Sequence, residues 1–403
     1  MPSRMSPDEL ILMPVLKANP GTGGSFVLTR KYIEGAAEFA RFWPGPVTSL
    51  VRMKDEPTTD MDLIEVMPGD TDSGIENRPP VGAALERRLE RAAAVLGFLH
   101  ADDASTARFC HGIGVPFFCT TEYSPHTERQ IVDAEVRNPL LRWRRKIWLH
   151  RHDRVRQSML PYLAGLQCSG TPTYELYRER HPNVLMFFDN RVRAGDVIAA
   201  DRLAHRLTRI TSGAPLRLVF GGRLVAMKGV MDLPRIAQAL DDRAVPFTLE
   251  IYGTGPLEDA MRDDIAARGL TDRVTMPGAF DFQTGWIPAL RDRADLFLCC
   301  HLQGDPSSTY PEVMSCGVPI AGYDNEALLG ITQHSAAGWA TPLGDPDALA
   351  EQVAQLHADR PRLVAAAQSA VAFARAHTFE LTFEKRVRHL IESSRLPAAL
   401  RSG

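Results

Sequence analysis

Short apolar runs alternate with stretches of helical periodicity along most of this chain. In the first half the runs have the length and composition of buried strands. They lie at residues 10–17, 47–52, 95–100, 116–121, 165–169 and 184–188. Because strands that alternate with helices are typical of parallel sheets, the pattern predicts the α/β class.

A second series of strand-like runs begins near residue 216. Its members are LRLVFGG, FTLEIYG, RVTMPGA, DLFLCCH, VPIAGYD and GWATP, with helical stretches between them. An acidic excursion at 55–80 carries one further short strand at 63–67, and a helical pattern at 379–394 closes the chain. We therefore predict two Rossmann-like, doubly wound domains facing a cleft. The predicted parts are a first domain at 1–195, a linker at 196–214, a second domain at 215–372 and a terminal helical segment at 373–403.

Composition excludes several classes of protein. The chain has 403 residues, 44% of them hydrophobic and 24% charged, which suits a globular protein of two or three domains. Its net charge of -3 argues against a nucleic-acid binder. The six cysteines show no metal-site or disulfide spacing, which favours a reducing compartment. No apolar run is long enough to span a membrane, so we expect a cytoplasmic protein that still has the option of touching a membrane surface.

Loops that follow strands carry the candidate chemistry, because ligands of doubly wound sheets bind outside the carboxyl ends of the strands. The first such loop, PGTGGS at residues 20–25, is expected between a strand and a helix. There the bare amides of Gly23 and Gly24 would receive a phosphate or a sugar hydroxyl. A tight turn without a ligand is the alternative.

Two cations mark the first loop of the second series, GGRLVAMKG. Arg223 and Lys228 lie five residues apart after a strand, and Gly222 leaves room for close approach. An Arg fork with a Lys point charge suits a diphosphate, although a solvated loop is the simpler explanation for either residue alone. A further glycine-rich loop, GTGP with Gly253 and Gly255, follows the next strand.

The stretch HLQGDPSSTYPEVMSCGVP places Glu312 in the first turn of a very short helix. Pro311 precedes this residue, and Gly317 and Pro319 end the helix soon after it. For an isolated acid in such a place, interaction with the helix dipole is a sufficient explanation.

Taken in this order, the loops resemble those of the family-4 retaining glycosyltransferases, which have the two-domain GT-B architecture, over nearly all of residues 215–345. The resemblance implies that Arg223 and Lys228 neutralise the phosphates of a nucleotide diphosphate sugar. It implies that Glu312, in PEVMSCGVPI, holds the ribose hydroxyls while the helix start faces the diphosphate. IYGTGP is similar to the family's next glycine-rich loop, and YDNE makes Glu326 a further donor-pocket residue. The resemblance also implies that the helix at 379–394 is the family's terminal helix, which returns to the first domain.

The sequence departs from the family pattern in two places. The family carries a first glutamate eight positions before the second, where this chain has Gly304 followed by Asp305. Either Asp305 contacts the transferred sugar from one residue away, or a run of hydroxyl residues does so. This run consists of Ser307, Ser308 and Thr309. In the first half, Glu122 stands where the family has a His, and His126 is a possible substitute with plain surface exposure as the alternative.

The implied reaction transfers a sugar from its nucleotide to an acceptor hydroxyl with retention of configuration. Arg223 and Lys228 would stabilise the charge of the departing phosphate, and no metal is expected because they stand where a divalent ion would otherwise sit. The departing phosphate would accept the proton of the acceptor, with Glu122 orienting or assisting. Domain closure would exclude water.

The segment 137–156 carries eight basic residues and one acid. Trp148 belongs to an apolar face at helical spacing, a composition suited to a membrane interface or to lipid-diphosphate contact. The basic residues assigned to this contact are Arg142, Arg144, Arg145 and Lys146. The alternative is a surface helix whose tryptophans pack on their own domain. Membrane contact would make the acceptor a lipid-linked sugar or polysaccharide intermediate on the cytoplasmic face.

Other function classes stay open at this point. A nucleotide-sugar epimerase or a sugar phosphorylase shares the architecture. An epimerase would change the form of the sugar and a phosphorylase would release it with phosphate, whereas a transferase moves it to an acceptor. A non-catalytic partner subunit is suggested by Gly304, whereas Arg223, Lys228 and Glu312 argue against it.

Overall fold

The structure is a computed structural model that describes residues 8–56, 62–304 and 306–394. Sixteen strands are assigned in these ranges, ten in a first sheet and six in a second. Those of the first sheet are β1 (Glu9–Leu12), β2 (Lys17–Pro20), β3 (Phe26–Thr29), β4 (Val47–Met53), β5 (Leu63–Val66), β6 (Gly74–Asn77), β7 (Ala92–Phe98), β8 (Phe117–Thr121), β9 (Gly165–Ser169) and β10 (Val184–Phe187). Those of the second are β11 (Leu216–Gly221), β12 (Phe247–Tyr252), β13 (Val274–Gly278), β14 (Leu296–Cys299), β15 (Ile320–Tyr323) and β16 (Gly338–Thr341).

Helices cover both sheets. They are α1 (Arg30–Phe42), α2 (Ala83–Leu89), α3 (Ala104–Ile113), α4 (Pro125–Glu135), α5 (Pro139–Met159), α6 (Gly170–Tyr177), α7 (Ala200–Thr211), α8 (Leu233–Asp242), α9 (Glu258–Ala267), α10 (Ile287–Arg293), α11 (Thr309–Ser315), α12 (Glu326–Ser335), α13 (Pro346–Ala358), α14 (Arg360–Ala376) and α15 (Phe379–Ser394). Helix α7 lies inside the predicted linker.

The core of the first sheet is parallel, in the order β10-β9-β8-β7-β1-β4, and β6 pairs with β4. Leu10 and Ile11 are completely buried because helices cover both faces of this sheet, which explains their continuous apolar pattern. The second sheet is parallel throughout, in the order β13-β12-β11-β14-β15-β16. The predicted class, two parallel-sheet α/β domains, is confirmed.

The first strand is shorter than predicted. It ends at Leu12, and the chain turns through Pro14 and an exposed Val15 before β2 starts at Lys17. Strands β2, β3 and β5 form a small extension in which β3 is antiparallel to both neighbours. A continuous apolar run does not distinguish one strand from two short strands separated by a turn.

The last helix, α15, packs on the first domain. Phe383 lies edge-on against Phe39 of α1, with ring centroids 5.1 Å apart. It fits because Gly35 has no side chain: a Cβ there would lie 2.9 Å from the Phe383 ring. Among the described residues, no helix combines the length and the apolar character that crossing a membrane requires.

Candidate active site

The carboxyl ends of the two sheets face each other, and loops from both domains touch there. Gly304, after β14, donates its amide to Gln130 Oε1 of α4 at 3.1 Å. Its carbonyl accepts a hydrogen bond from Thr127 Oγ1 at 3.3 Å. On the same side, Glu326 at the start of α12 lies 2.8 Å from His126 Nδ1. The structure therefore brings together loops that the sequence predicted separately.

Lys228 is buried in the loop after β11, whereas Arg223 in the same loop is exposed. The next residue, Gly229, has a φ of +61°, and a Cβ there would lie 2.0 Å from the carbonyl oxygen of Cys300. Only glycine permits this close approach, which holds Lys228 against the end of β14. Burial and the charge of Lys228 together lower the pKa of His301 well below its ordinary value, which keeps the imidazole neutral.

The glycine-rich loop that contains Gly253 and Gly255 packs against the loop that contains Gly222 and Leu224. A Cβ on Gly253 would lie 1.9 Å from the carbonyl oxygen of Gly222, and one on Gly255 would lie 2.6 Å from that of Leu224. Leu224 also donates its amide to the Thr254 carbonyl at 2.9 Å. These glycines let the two loops pack backbone to backbone. Direct contact of Gly222, Gly253 and Gly255 with a donor stays a prediction.

Glu312 lies in α11 and is 4% exposed. Its Oε1 makes no hydrogen bond to the described residues, and Arg191 Nε is 3.9 Å away, too far for one. Burial raises the pKa of Glu312, while the charges of Arg191 and Lys31 oppose that effect. Side-chain hydrogen bonds from Ser308 and Trp286 to the carboxylate also lower this pKa. A buried carboxylate oxygen without a donor is unfavourable in a folded protein, so this atom points to a missing hydrogen-bond donor.

Other polar atoms in the same stretch are buried and unpartnered within the described part of the chain. They are His301 Nε2 and Gln303 Oε1. Together with Glu312 Oε1 they belong to one continuous segment of twelve residues that follows β14. Several unsatisfied polar atoms in one segment are typical of a ligand site rather than of a core.

Gly304, which replaces the family's first glutamate, has little room for a side chain. A Cβ there would lie 3.1 Å from Thr127 Oγ1 and 3.2 Å from Glu326 Oε2. Asp305, its predicted substitute, lies outside the described residues. The hydroxyl residues Ser307, Ser308 and Thr309 are half-buried at the start of α11. Roles for Asp305 and for these hydroxyls stay predictions.

Glu326 connects the two domains. Besides its contact with His126, it accepts a hydrogen bond from Ser124 Oγ at 3.2 Å. The sequence nominated His126 and Glu326 for different reasons, and it gave no sign that they are partners. A contact between residues 200 positions apart becomes visible only in the folded chain.

The glycine-rich turn at 20–25 does not open a helix, which corrects the sequence prediction. It is the tip of the β2–β3 hairpin, and Gly23 and Gly24 have φ values of +60° and +88°. Thr22 donates its amide to Glu65 Oε1 at 2.6 Å, and Ser25 Oγ donates to the same oxygen. These donors lower the pKa of Glu65. The turn thus binds a carboxylate of its own domain, and the helix-start argument for Gly23 and Gly24 as donor ligands is lost.

A cavity of about 620 Å³ opens at the carboxyl edge of the first sheet. Glu122 and Tyr123, directly after β8, line it together with His100. Lys31, in the first turn of α1, and Asp189, just after β10, also line it and form an ion pair at 2.5 Å. The rest of its lining includes apolar side chains of α1 and α15, among them Phe39, Phe379 and Phe383.

The sequence analysis missed Lys31, Asp189, Arg191 and Arg386. Asp189 could have been predicted from the rule that ligands bind after parallel strands, since it lies two residues after the end of β10. Lys31 and Arg386 lie on helices, where a single charge looks like surface. No local sequence signal distinguishes Lys31 and Arg386 from ordinary surface residues.

The basic helix α5 packs against α3 and α4 of the first domain. Trp143 and Trp148 are 61% and 53% exposed, so neither tryptophan is buried against its own domain. Lys146 and Arg142 both pair with Asp133 of α4, at 2.6 and 3.7 Å. The exposed apolar residues of this helix are Leu140, Leu141, Trp143, Trp148 and Val155.

Two parallel-sheet domains that face each other across a cleft define the GT-B architecture. The HepE protein of Anabaena, solved in complex with UDP, shares this fold with a TM-score of 0.66 at 15% identity, over 96% of this chain and 100% of that one.

Residues 215–359 match the family model described as "Glycosyl transferases group 1". Residues 215–359 therefore form a glycosyl transferases group 1 domain, in a molecule of GT-B fold.

Curated relatives agree with this family. The amylovoran biosynthesis glycosyltransferase AmsK of Erwinia amylovora is 30% identical over 167 residues, which are 39% of this chain and 40% of that protein. The GDP-mannose-dependent alpha-(1-6)-phosphatidylinositol monomannoside mannosyltransferase of Mycobacterium tuberculosis is 30% identical over 154 residues, 36% of this chain and 38% of that protein. The matches thus span about two-fifths of each relative's length.

Proposed function

We propose that this protein is a retaining glycosyltransferase that moves a sugar from a nucleotide diphosphate sugar to an acceptor hydroxyl. The observation that carries the proposal is the buried Oε1 of Glu312, which has no hydrogen-bond partner among the described residues. The same segment contains the buried His301, whose pKa is lowered in part by the charge of Lys228. A carboxylate for ribose hydroxyls and a buried cation for phosphates, both in loops that follow strands of the second sheet, would match the two polar parts of a nucleoside diphosphate.

The donor would lie between the domains. Glu312 accepts hydrogen bonds from the ribose hydroxyls, which satisfies its Oε1. Lys228 neutralises the diphosphate from a fixed, buried position, and the exposed Arg223 joins it from the mouth of the loop. Fixed cations at the departing phosphate stabilise the transition state by a few kcal/mol per well-placed group.

Retention follows, on this proposal, from attack on the same face from which the phosphate departs. The phosphate oxygen takes the proton of the acceptor hydroxyl, the bond from the acceptor oxygen to the sugar forms, and the bond from the sugar to the phosphate breaks. Glu122, at the rim of the cavity in the first domain, orients the acceptor hydroxyl. We expect no metal in this step.

The cavity of the first domain supports a bound acceptor. Its volume falls within the range of about 300 to 1,000 Å³ that is usual for small-molecule sites. Lys31 lines this cavity and its charge also acts on Glu312, so the cavity and the donor site adjoin.

The acceptor is proposed to be lipid-linked, at the cytoplasmic face of a membrane. The exposed tryptophans and basic residues of α5 support this, because this composition favours an anionic lipid surface. The mycobacterial relative acts, by its name, on a phosphatidylinositol monomannoside, and AmsK serves amylovoran biosynthesis.

The test is a transfer assay with UDP- and GDP-sugars and a membrane lipid extract, followed by NMR assignment of the new anomeric centre. A product with the donor's configuration supports the proposal. An inverted product contradicts retention, and an epimerised or phosphorolysed sugar would replace transfer by one of the rival activities. Absence of nucleotide binding would identify a non-catalytic subunit.

A further inference from the structure

Arg386 is a buried cation on the wall of the first-domain cavity. It lies on α15, is 8% exposed and lines the cavity together with Lys31 and Asp189. Neither the family match, which ends at residue 359, nor the sequence pattern assigns it any role.

The surroundings of the guanidinium leave one edge available. Aromatic rings lie near its central carbon: Phe187, Phe39 and Phe383 have centroids at 4.3, 4.9 and 5.1 Å. Its Nε donates to Gln167 Oε1 at 2.8 Å, and its Nη2 donates to Thr120 Oγ1 at 3.3 Å. Nη1 makes no hydrogen bond to the described residues.

Both acceptors of Arg386 are neutral. No carboxylate in the described chain forms an ion pair with it, and the nearby acid Asp189 already pairs with Lys31 Nζ at 2.5 Å. Desolvation lowers the pKa of Arg386 to about 10, against the opposing charge of Asp189, and Arg386 stays charged at neutral pH. A buried charge whose nearby carboxylate is already paired with Lys31 is only partly compensated, which is costly unless another group adds negative charge.

A purely structural role explains only part of this environment. Gln167 accepts from Arg386 Nε and also donates to the Arg386 carbonyl at 2.9 Å, which fixes α15 to β9. An uncharged residue would join a helix to a sheet without burying a charge. The positive charge and the available edge of the guanidinium fit a ligand that enters the cavity.

We propose that Arg386 binds an oxyanion of the acceptor, so that the acceptor is an anionic sugar, either a sugar phosphate or a uronic acid. An oxyanion meets the planar fork of an arginine with two parallel hydrogen bonds, and the aromatic rings hold that fork in one orientation. This proposal rests on the proposed function, since it concerns the acceptor of that reaction.

The experiment is calorimetric titration of the whole protein, without nucleotide, with α-D-glucose 1-phosphate, D-glucuronate and methyl α-D-glucopyranoside. We expect saturable 1:1 binding of at least one anionic sugar and at least tenfold weaker binding of the neutral glucoside. Preference for the phosphate or for the carboxylate identifies the source of the oxyanion. If neither anionic sugar binds, or if the glucoside binds equally well, the proposal is wrong.

Variants locate the binding. Arg386→Gln is expected to weaken the anionic sugar about tenfold or more, and Arg386→Lys is expected to be intermediate, because it keeps the charge without the fork. Arg388→Gln is the matched control, at an exposed position of the same helix where the arginine pairs with Glu384, and should leave this binding unchanged. Loss of binding in Lys228→Ala with retention in Arg386→Gln would assign the anion to the donor site and overturn the proposal.

A further titration separates the two proposals. A nucleoside diphosphate is titrated into the same samples: its binding tests the donor site, independently of whether the anionic sugar binds. If Arg386→Gln does not fold, competition in the unmodified protein decides. There the anionic sugar must bind with undiminished affinity in the presence of saturating nucleoside diphosphate, and displacement by it would contradict the proposal.

Discussion

Glu312 occupies an environment that is unfavourable for a carboxylate. Its carboxylate is buried, its Oε1 has no hydrogen bond among the described residues, and Arg191 at 3.9 Å compensates only partly. A core position would not retain such a group, because a neutral side chain of similar shape costs less to bury. The unfavourable environment of the free protein becomes favourable when ligand hydroxyls donate to this oxygen.

We therefore predict that Glu312→Gln is more stable than the parent at neutral pH. Burial raises the folded-state pKa of Glu312 above the ordinary value of 4.5, so the folded state binds the proton more tightly than the unfolded state. The Glu312 contribution is then most favourable below the unfolded pKa and is lost as pH rises through the folded pKa. Urea unfolding at about pH 4 and pH 7 measures the difference between variant and parent, which should grow with pH.

The matched control is Glu258→Gln, a first-turn glutamate of α9 that pairs with Arg262 at the surface. Its stability difference from the parent should stay within about 0.5 kcal/mol. If Glu312→Gln were instead less stable than the parent at neutral pH, the carboxylate would be a satisfied structural group.

Arg223 and Lys228 differ in burial, and their substitutions should differ accordingly. Arg223→Ala should leave the unfolding midpoint within about a degree or two, because the side chain is exposed, and should weaken nucleoside diphosphate binding. Lys228→Ala should weaken binding more strongly, since a buried cation is screened less by solvent. Thermal unfolding and titration of both variants test this order. Equal losses of fold and binding in Arg223→Ala would make that residue structural.

At the scale of elements, continuous apolar runs such as 296–299 and 320–323 were predictable because helices bury both faces of their strands. The hairpin at 17–29 was not. Its strands are four residues each, and the glycines that suggested a ligand loop instead give the positive φ values of a turn bound to Glu65. This turn depends on hydrogen bonds to Glu65, which lies 40 positions after Ser25 in the sequence.

The exposed face of α5 leads to a prediction about binding to anionic membranes. Arg142 and Lys146 are engaged by Asp133, whereas Arg144 and Arg145 are exposed and are among the charges available to lipid. Each base near an anionic surface contributes about 1 kcal/mol, so Arg144→Gln with Arg145→Gln should lower partition onto anionic vesicles more than tenfold. Sedimentation with phosphatidylserine-containing vesicles measures it.

Two exposed arginines of the second domain and its flanking helix provide the control for α5. Arg235→Gln with Arg375→Gln removes the same charge far from this helix and should leave partition unchanged. If the parent protein does not sediment with these vesicles, or if both pairs of substitutions act alike, α5 has no specific role at a membrane.

At the scale of the whole molecule, the candidate site is assembled from distant segments. Glu312 and Lys228 were predictable because they belong to loops with a recognisable order along the chain. The pairing of Lys31 with Asp189, the burial of Arg386 beside them and the contact of His126 with Glu326 depend on how the domains and α15 pack. Side chains that meet across 150 residues or more leave no local pattern.

The two cations of the candidate donor site, Lys228 and Arg223, lead to a prediction about metal removal. If Lys228 and Arg223 supply the charge that stabilises the departing phosphate, sugar transfer should persist after treatment with EDTA and should not rise when Mg²⁺ or Mn²⁺ is added. Initial rates with and without each addition check this. A rate that falls to background in EDTA and returns with a divalent ion would contradict the metal-independent mechanism.

The most direct test of the donor site is titration of UDP and GDP, each alone and as the matching nucleotide sugar, into the parent protein and into Glu312→Gln. We predict that the parent binds one base series and that the substitution weakens the bare nucleoside diphosphate and its sugar by the same factor. That factor should be about tenfold or more, because Glu312 acts on the ribose that both ligands share. Undiminished nucleotide binding in Glu312→Gln, with the variant folded, would contradict the account.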